Sequence, residues 1–212
     1  MCYNIKVQAT QEQIVQEFKL AVLEDAIWGA PRRHLTIGQN IPAVVLGETG
    51  NALDLFYWGF TPGWEKDPKG GMRPGNARRE TIDTTPMFRG AFKLRRCIVP
   101  ATGFYEWIGE KGNKQLLPFH VAGREIFGIP GVWDEWTAPD GSTRRSCAIV
   151  TCDPSADIRP YHDRMPVILE RGDYSRYLSP DTCVKDAAQL LAPLPEGSIL
   201  PDMAGAFKPA RH

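Results

Sequence analysis

Residues 97–107 read Cys97-Ile98-Val99-Pro100-Ala101-Thr102-Gly103-Phe104-Tyr105-Glu106-Trp107, an apolar and aromatic run that contains a single carboxylate. This pattern predicts two strands, at Cys97–Val99 and Gly103–Ile108. The segments that follow it predict two more strands, at Leu116–Val121 and Glu125–Trp133. Because strand follows strand here without an intervening helix, antiparallel sheets are expected in this part of the chain.

The same alternation of apolar runs and turn residues continues on both sides of this stretch. Further strands are predicted at Pro42–Leu46, Leu53–Trp58, Ser146–Thr151 and Met165–Leu169. Helices are predicted at about 11–25, where Thr10 and Gln13 form a capping box, and at Asp173–Leu178 and Pro180–Leu191. Residues 61–90 are rich in Gly, Pro and Arg and are interpreted as a long irregular excursion. We therefore expect an α+β fold in one domain, 1–212, with a loop-like tail at 193–212.

Composition excludes several classes of protein. The 212 residues include 42% hydrophobic and 24% charged residues, which is typical of a globular chain. No apolar run approaches the roughly 20 residues of a membrane span, and the polar N-terminus lacks the apolar core of a signal peptide. Five cysteines without paired spacing favour a reducing, cytoplasmic compartment. No metal-ligand or nucleotide-binding motif is present in the sequence, so neither a metal nor another cofactor is expected.

The charge of the chain is unevenly distributed. The totals are 25 basic and 25 acidic residues, a formal net charge of zero. Residues 66–96 nevertheless hold nine basic residues against three acidic ones, a net charge of +6. This basic stretch has two open interpretations, a solvated loop face or a phosphate-binding surface.

Cys2 offers chemistry that depends on its position. It directly follows Met1, and removal of Met1 would leave an α-amine and a thiol on adjacent carbons, with ordinary pKa values of about 8 and about 8.5. The amine of such a 1,2-aminothiol condenses with an aldehyde to an imine, and the thiol then closes a thiazolidine ring. Alternatively, Cys2 is an incidental second residue. The other cysteines, Cys97, Cys147, Cys152 and Cys183, are expected to be core residues.

Three polar positions stand out beside Cys2, and each also has a structural interpretation. Asn76 lies in the basic stretch, in a segment (75–81) that is also interpreted as a turn followed by the start of a helix. Glu106 lies between aromatic residues, which tends to raise a carboxyl pKa, although strand alternation would instead turn it to water. His162 lies at the entrance to an apolar strand, where it suits proton transfer or a purely structural role.

Together these segments resemble the SRAP family, the SOS-response-associated peptidases or abasic-site-processing proteins. The resemblance covers most of the chain and rests on motifs in family order. They are Met1-Cys2, Trp58-Gly59-Phe60-Thr61-Pro62-Gly63-Trp64, Asn76-Ala77-Arg78-x-Glu80-Thr81, Cys97-Ile98-Val99-Pro100-Ala101-x-Gly103-Phe104-Tyr105-Glu106-Trp107, Thr151 and His162-Asp163-Arg164-Met165-Pro166-Val167. It implies a single SRAP-type domain with barrel-like, mainly antiparallel sheets and a few flanking helices.

The resemblance also implies a function and roles for residues. The family cross-links itself to abasic sites in single-stranded DNA during the DNA damage response. Carried over, Cys2 would be the nucleophile, Asn76 would orient it, and Glu106 would move protons. His162 would assist opening of the sugar ring, and the DNA contacts would come from Arg78, Arg164, Trp64 and Thr151. Autopeptidase release of Met1, a possible lyase activity, a monomeric state and association with the nucleoid are further expectations.

The chain departs from the family at its N-terminus, where Tyr3-Asn4 replaces the commoner Gly-Arg. Two other functions use some of the same residues. One is a cysteine hydrolase with an N-terminal nucleophile, acting on a peptide or amide bond. The other is a non-catalytic single-strand-binding module in which Cys2 is incidental.

Overall fold

The structure is a computed structural model that describes residues 2–21, 27–66, 73–110 and 112–208. The strands of the described residues are β1 Asn4–Val7, β2 Arg32–Thr36, β3 Asn40–Gly47, β4 Gly50–Trp58, β5 Asn76–Arg78, β6 Arg96–Ala101, β7 Gly103–Ile108, β8 Gln115–Val121, β9 Phe127–Thr137, β10 Thr143–Cys152, β11 Met165–Pro166 and β12 Ile199–Pro201. The α-helices are α1 Gln11–Phe18, α2 Arg89–Leu94, α3 Tyr174–Leu178 and α4 Val184–Gln189. None of the helices in the described ranges is long and apolar enough to cross a membrane.

Five strands close into a barrel. The pairing runs from β10 through β4, β3, β6 and β9 and back to β10. All of these pairs are antiparallel except β4 with β10, which are parallel. The short strands β5 and β11 also pair with β10, beyond its contact with β4. Closure leaves no open edge among the five barrel strands.

The second sheet has the strand order β12-β8-β7-β1-β2 and is antiparallel throughout. One continuous cluster of buried side chains spans this sheet and the barrel. The expected α+β class with mainly antiparallel, barrel-like sheets is therefore confirmed.

Residues 97–107 join the two sheets. Strand β6 belongs to the barrel and β7 to the second sheet, and Thr102 alone separates them. The Thr102 backbone N–H donates to the Lys6 carbonyl over 2.8 Å, which fixes the crossing against β1. At Gly103 a Cβ would lie 2.8 Å from the Phe119 carbonyl oxygen, so a glycine is needed for this close approach.

Several elements differ from the sequence-based expectations. Strands β1 and β2 were not predicted, because each is short and only partly apolar. The helix expected at about 11–25 ends at Phe18, where Lys19 adopts a left-handed conformation (φ 52°) and its N–H bonds back to the last turn. Residues 22–26 of that expectation lie outside the described residues. Of the strand expected at Met165–Leu169, only β11 is regular, although the Val167 and Leu169 N–H groups donate to the Val150 and Gly128 carbonyls. Helix α4 is shorter than the expected Pro180–Leu191.

The expected tail at 193–212 is not loop-like throughout. Ile199 is buried opposite Val121, and β12 covers the edge of β8 that would otherwise be exposed. Phe207 then exchanges both backbone hydrogen bonds with Leu116. Residues 209–212 lie outside the described residues.

Candidate active site

Cys2 lies two residues before strand β1. Strand β1 pairs with β7 through Ile5 opposite Phe104 and Lys6 opposite Gly103. The chain before β1 therefore runs toward the end of β7 that carries Glu106 and Trp107, and the charge of Glu106 acts on the Cys2 thiol. The Cys2 side chain is fully buried, and its Sγ lies 3.7 Å from the Asn4 carbonyl oxygen. Burial, reinforced by the negative charge of Glu106, raises the pKa of this thiol well above its usual value.

Glu106 is a buried carboxyl with unused hydrogen-bonding capacity. Its residue exposure is 1%, and within the described residues its Oε1 has no hydrogen-bond partner. Burial raises the pKa of Glu106 to about 8, and the nearby negative charge of Asp163 acts in the same direction. At neutral pH the carboxyl is therefore mostly protonated and can act as an acid. The interpretation that strand alternation turns Glu106 to water is wrong: it is Trp107 that is partly exposed.

The His162 ring lies next to the Glu106 carboxyl. Its Nε2 lies 3.5 Å from the Glu106 Oε2. Its Nδ1 lies 3.0 Å from both the backbone nitrogen and the carbonyl oxygen of Arg164, and 3.0 Å from the Asp163 Oδ1. A neutral ring that donates from Nδ1 to the Arg164 carbonyl leaves Nε2, on the side of the Glu106 carboxyl, free to accept a proton. Burial lowers the pKa of His162, which favours this neutral form near pH 7.

Arg164 holds His162 in place. Its guanidinium bonds both carboxylate oxygens of Glu80, at 3.2 and 2.9 Å, and the Asp153 Oδ1 at 2.6 Å. It also donates to the Thr151 carbonyl over 2.8 Å. The guanidinium is buried, and both of its terminal nitrogens are hydrogen-bonded. These bonds hold the Arg164 backbone, which contacts the His162 Nδ1, in place.

Asn76 contributes an unpaired amide. Its residue is buried on β5, and neither Oδ1 nor Nδ2 has a hydrogen-bond partner among the described residues. The expected turn followed by a helix start at 75–81 is corrected here, since β5 forms by parallel pairing with β10 instead. Burying an amide without partners costs free energy, so the arrangement is typical of a site that a ligand completes.

Strand β5 connects Asn76 to the other site residues in both directions. At its start, a Cβ on Gly75 would lie 2.7 Å from the Ile37 side chain, and the Ile37 N–H bonds the Tyr3 carbonyl over 3.2 Å. This contact leads back to Cys2. Beyond its other end, Glu80 binds Arg164, which fixes His162. Direct contacts thus join Glu106 to His162 and the charge of Glu106 to the Cys2 thiol, whereas Asn76 is linked to these residues only through its neighbours on the chain.

The predicted DNA contacts have different surroundings. Arg78 is exposed at the end of β5. Trp64 is 62% exposed on a loop that is firmly held, since Gly63 N–H donates to Asp134 and the Trp136 indole donates to the Glu65 carbonyl. Thr151 is buried, and its carbonyl is taken by Arg79 and Arg164. The DNA-binding roles of these residues and of Arg164 stay predictions, best supported for Arg78 and Trp64.

Part of the basic stretch has a structural role. The buried guanidinium of Arg96 donates to the backbone carbonyls of Phe92, Lys93, Tyr177, Ser179 and Thr182. Arg95 pairs with Asp134 at 3.1 Å. Lys69 lies outside the described residues. The stretch is therefore less available to a ligand than its net charge suggests.

Sequence reasoning missed Glu80 and Asp153, which bind Arg164 from distant parts of the chain. Glu80 belongs to the motif Asn76-Ala77-Arg78-x-Glu80-Thr81, which was the available signal for it; no local pattern indicated Asp153.

Cys97, Cys147 and Cys152 are buried as expected, whereas Cys183 is exposed just before α4, so its assignment to the core is corrected. Across the described residues no group of three or more His, Cys, Asp or Glu is arranged to hold a metal ion.

Comparisons with known proteins identify the family of the chain. The family model "SOS response associated peptidase (SRAP)" matches residues 1–201. The Bacillus subtilis "Abasic site processing protein YoaM" is 31% identical over 193 residues, covering 90% of this chain and 85% of the relative. The Xenopus tropicalis "Abasic site processing protein HMCES" is 30% identical over 168 residues, covering 67% of this chain but only 50% of the relative.

Solved structures share the fold. A crystal structure of a protein from Bacteroides thetaiotaomicron has a TM-score of 0.84 at 24% identity and covers 94% of this chain and 90% of that one. Another, from Bordetella bronchiseptica, has a TM-score of 0.81 at 23% identity and covers 98% and 100%. Because the family model matches residues 1–201 and a relative is 31% identical over 90% of the chain, the chain belongs to the SRAP family.

Proposed function

We propose that this protein processes abasic sites in single-stranded DNA by forming a covalent thiazolidine between Cys2 and the ring-opened deoxyribose. The observation that carries the proposal is the position of the Cys2 segment beside a buried carboxyl and an imidazole that face each other. The names of the relatives at about 30% identity support the same role at the level of the family. Release of Met1, which frees the α-amine, precedes the reaction and is proposed to be the protein's own peptidase activity.

The reaction divides into steps that the site residues can assist. The sugar hemiacetal opens to an aldehyde when a base takes its hydroxyl proton, a role that suits His162. The Cys2 amine adds to the aldehyde carbon, and the resulting hydroxyl leaves as water after receiving a proton from Glu106. The thiol then adds to the iminium carbon, and its proton returns to the Glu106 carboxylate. In sum, one aldehyde and one aminothiol give one thiazolidine and one water.

Burial of the thiol fits this order of events. Because its pKa is raised, Cys2 stays protonated until the iminium forms nearby. An iminium left untrapped would lose a proton from the adjacent carbon, and the DNA strand would break by β-elimination. Ring closure by the thiol therefore preserves the strand, and the lyase outcome is expected only when ring closure fails.

The DNA path is proposed from the exposed residues. Arg78 follows Asn76 by two positions and projects from the surface, where its guanidinium can pair with a phosphate next to the lesion. Trp64 offers an exposed ring for stacking on a base. Asn76 supplies a donor and an acceptor for the sugar or the Cys2 amine. Arg164 reaches a phosphate only if Asp153 releases it, so its role is proposed to be mainly positioning.

The alternative functions fit the geometry less well. A cysteine hydrolase uses a thiolate with a lowered pKa, whereas burial raises the pKa of Cys2. A purely binding module gives no reason for keeping Glu106 Oε1 and the Asn76 amide buried without partners. Both features suit a reaction that needs a proton donor and a polar anchor.

A denaturing gel tests the proposal. The protein is incubated with a single strand that carries one abasic site, and with the intact strand as control. We expect a heat-stable shifted band only with the abasic strand. Cys2→Ala should bind but give no heat-stable band, while adding borohydride should trap its imine. Cys183→Ala, at the exposed cysteine, is the matched control and should cross-link normally. An undiminished stable band from Cys2→Ala would contradict the assignment.

A further inference from the structure

A second cluster of aromatic and basic side chains lies at one end of the barrel. Arg144 lies 5.5 Å from the ring centre of Tyr57, and Arg73 lies 6.0 Å from it. We call these three residues the Tyr57 surface. Gly59 shapes it, since a Cβ there would lie 2.8 Å from the Tyr57 ring. Any larger residue would push the ring away from the backbone.

Arg144 and Arg145 differ in their ion-pair partners. Arg145 pairs with Asp54 at 2.6 Å and with Glu135 at 3.0 Å. Arg144 is exposed, and among the described residues no carboxylate forms an ion pair with it. Its guanidinium thus keeps its donors available for an anion while its flat face rests on Tyr57.

The Tyr57 surface is linked on one side to Trp64 and on the other to Asn76. Arg144 is opposite Trp136 in the β9–β10 pairing, and the Trp136 indole bonds the residue next to Trp64. On the other side, Arg73 precedes Asn76 by three residues, which limits their separation to about 10 Å. The surface therefore joins the exposed tryptophan to the lesion site.

We propose that the Tyr57 surface binds the strand that flanks the abasic site, with Arg144 on a backbone phosphate and Arg73 on the side nearer the lesion. This inference rests on the proposed function and adds a contact region to it. A single strand is the occupant that fits, because basic groups interleaved with aromatic rings match phosphates and bases in turn. The links to Trp64 on one side and to Asn76 on the other make that path continuous.

Matched arginine variants test the inference. Binding of a labelled, intact single strand is measured by fluorescence anisotropy at several salt concentrations for Arg144→Ala and Arg145→Ala. Both changes remove one positive charge from neighbouring exposed positions, but only the first removes a charge without an ion-pair partner. A third variant, Arg144→Lys, keeps the charge. Melting temperatures identify any variant whose folding is affected.

The expected results are quantitative. Each phosphate contact contributes about 0.7 to the slope of log affinity against log salt for single strands. Arg144→Ala should lower the slope by about 0.7. The ratio of wild-type affinity to Arg144→Ala affinity should therefore be about 2.6-fold smaller at 200 mM salt than at 50 mM salt. Arg145→Ala should leave the slope nearly unchanged, and Arg144→Lys should keep most of it.

Equal effects of Arg144→Ala and Arg145→Ala, or no change of slope in either, would overturn the inference. The cross-linking assay gives a second readout: the slower cross-linking of an abasic strand by Arg144→Ala should disappear when the flanking nucleotides on one side of the abasic site are removed. If the wild type gives no covalent adduct at all, the proposed function fails, yet the anisotropy results still decide whether this surface binds a strand.

Discussion

At the scale of single residues, the site is defined by polar groups that the fold leaves unsatisfied. Glu106 is buried with a free oxygen, and Asn76 is buried with neither amide atom paired among the described residues. Buried polar atoms without partners typically cost about 1–3 kcal/mol each, so a fold that needed only stability would place apolar residues there. A buried carboxyl whose charge acts on Cys2 and a buried amide without partners point to chemistry that uses a neutral acid and an amide.

Glu106 makes a prediction about pH. The Cys2 amine must be unprotonated to attack, so the cross-linking rate should rise through about pH 8. Glu106 must be protonated to expel water, and its pKa of about 8 makes the rate fall at higher pH. The wild type should therefore show a bell-shaped profile with its maximum near pH 8. Initial rates on an abasic single strand between pH 6 and 10 provide the measurement.

Glu106→Gln is the control for that profile. Loss of a general acid typically costs about 10²–10⁴-fold in rate, and the alkaline limb should vanish because glutamine has no proton to lose. A Glu106→Gln variant that retained the wild-type rate and the same alkaline limb would show that another group supplies the proton.

At the scale of elements, the site depends on β5 being held against β10 and the segment around Arg164. Three pairs of residues between β5 and β10 and one ion pair secure it. Glu80, from the turn that follows β5, binds Arg164 through both carboxylate oxygens. Asp153 binds the same guanidinium, but its side chain is 82% exposed against 38% for Glu80. The two carboxylates therefore contribute unequally, although both lie on one arginine.

This difference predicts unequal costs of removal. Glu80→Ala leaves the buried Arg164 without its bidentate partner and should lower the free energy of unfolding by about 2–3 kcal/mol. Asp153→Ala removes an exposed partner and should cost under about 1 kcal/mol. Urea denaturation of both variants measures the two values. Equal losses would mean that the two carboxylates hold Arg164 to the same degree.

The elements also show where sequence reasoning was sufficient and where it was not. Strong apolar runs predicted β3, β4 and β6–β10, because short apolar runs bounded by turn residues are typical of buried strands. They did not predict that β6 and β7 belong to different sheets, since the crossing at Thr102 depends on its bond to Lys6. The predicted catalytic residues came from motif resemblance, whereas the ion pair of Glu80 with Arg164 is visible only in the folded structure.

At the scale of the whole molecule, the zero net charge results from separate regions of opposite sign. The basic stretch at 66–96 is partly structural, since Arg96 is buried on backbone carbonyls and Arg95 pairs with Asp134. The charge left for a ligand is concentrated at exposed positions such as Arg78 and Arg144. Neutral totals are therefore compatible with a local DNA-binding surface.

Burial of the Glu106 carboxyl should make the free energy of unfolding depend on pH. The pKa of Glu106 is raised in the folded state from about 4.5 to about 8, so the folded protein binds the extra proton between these values. The free energy of unfolding should consequently fall as pH rises through this window. Each unit of difference between the folded and unfolded pKa of Glu106 corresponds to about 1.4 kcal/mol. The free energy of unfolding should therefore be roughly 3–5 kcal/mol lower above pH 8 than below pH 4.5.

Glu106→Gln has no such proton to lose. Its advantage in unfolding free energy over the wild type should be small at pH 5 and should grow up to pH 8.5. Urea denaturation at the two pH values compares them. A constant difference between the two proteins would show that Glu106 ionises in the folded state as it does in the unfolded chain.

The central claim is that both the amine and the thiol of Cys2 are bound to the abasic sugar. Peptide mapping by mass spectrometry of the purified adduct, after treatment with iodoacetamide, tests it most directly. We predict that the N-terminal peptide begins at Cys2, carries the sugar remnant and resists alkylation at its thiol, while Cys183 is alkylated. A sugar remnant on a lysine, or on a peptide that still begins with Met1, would contradict the account.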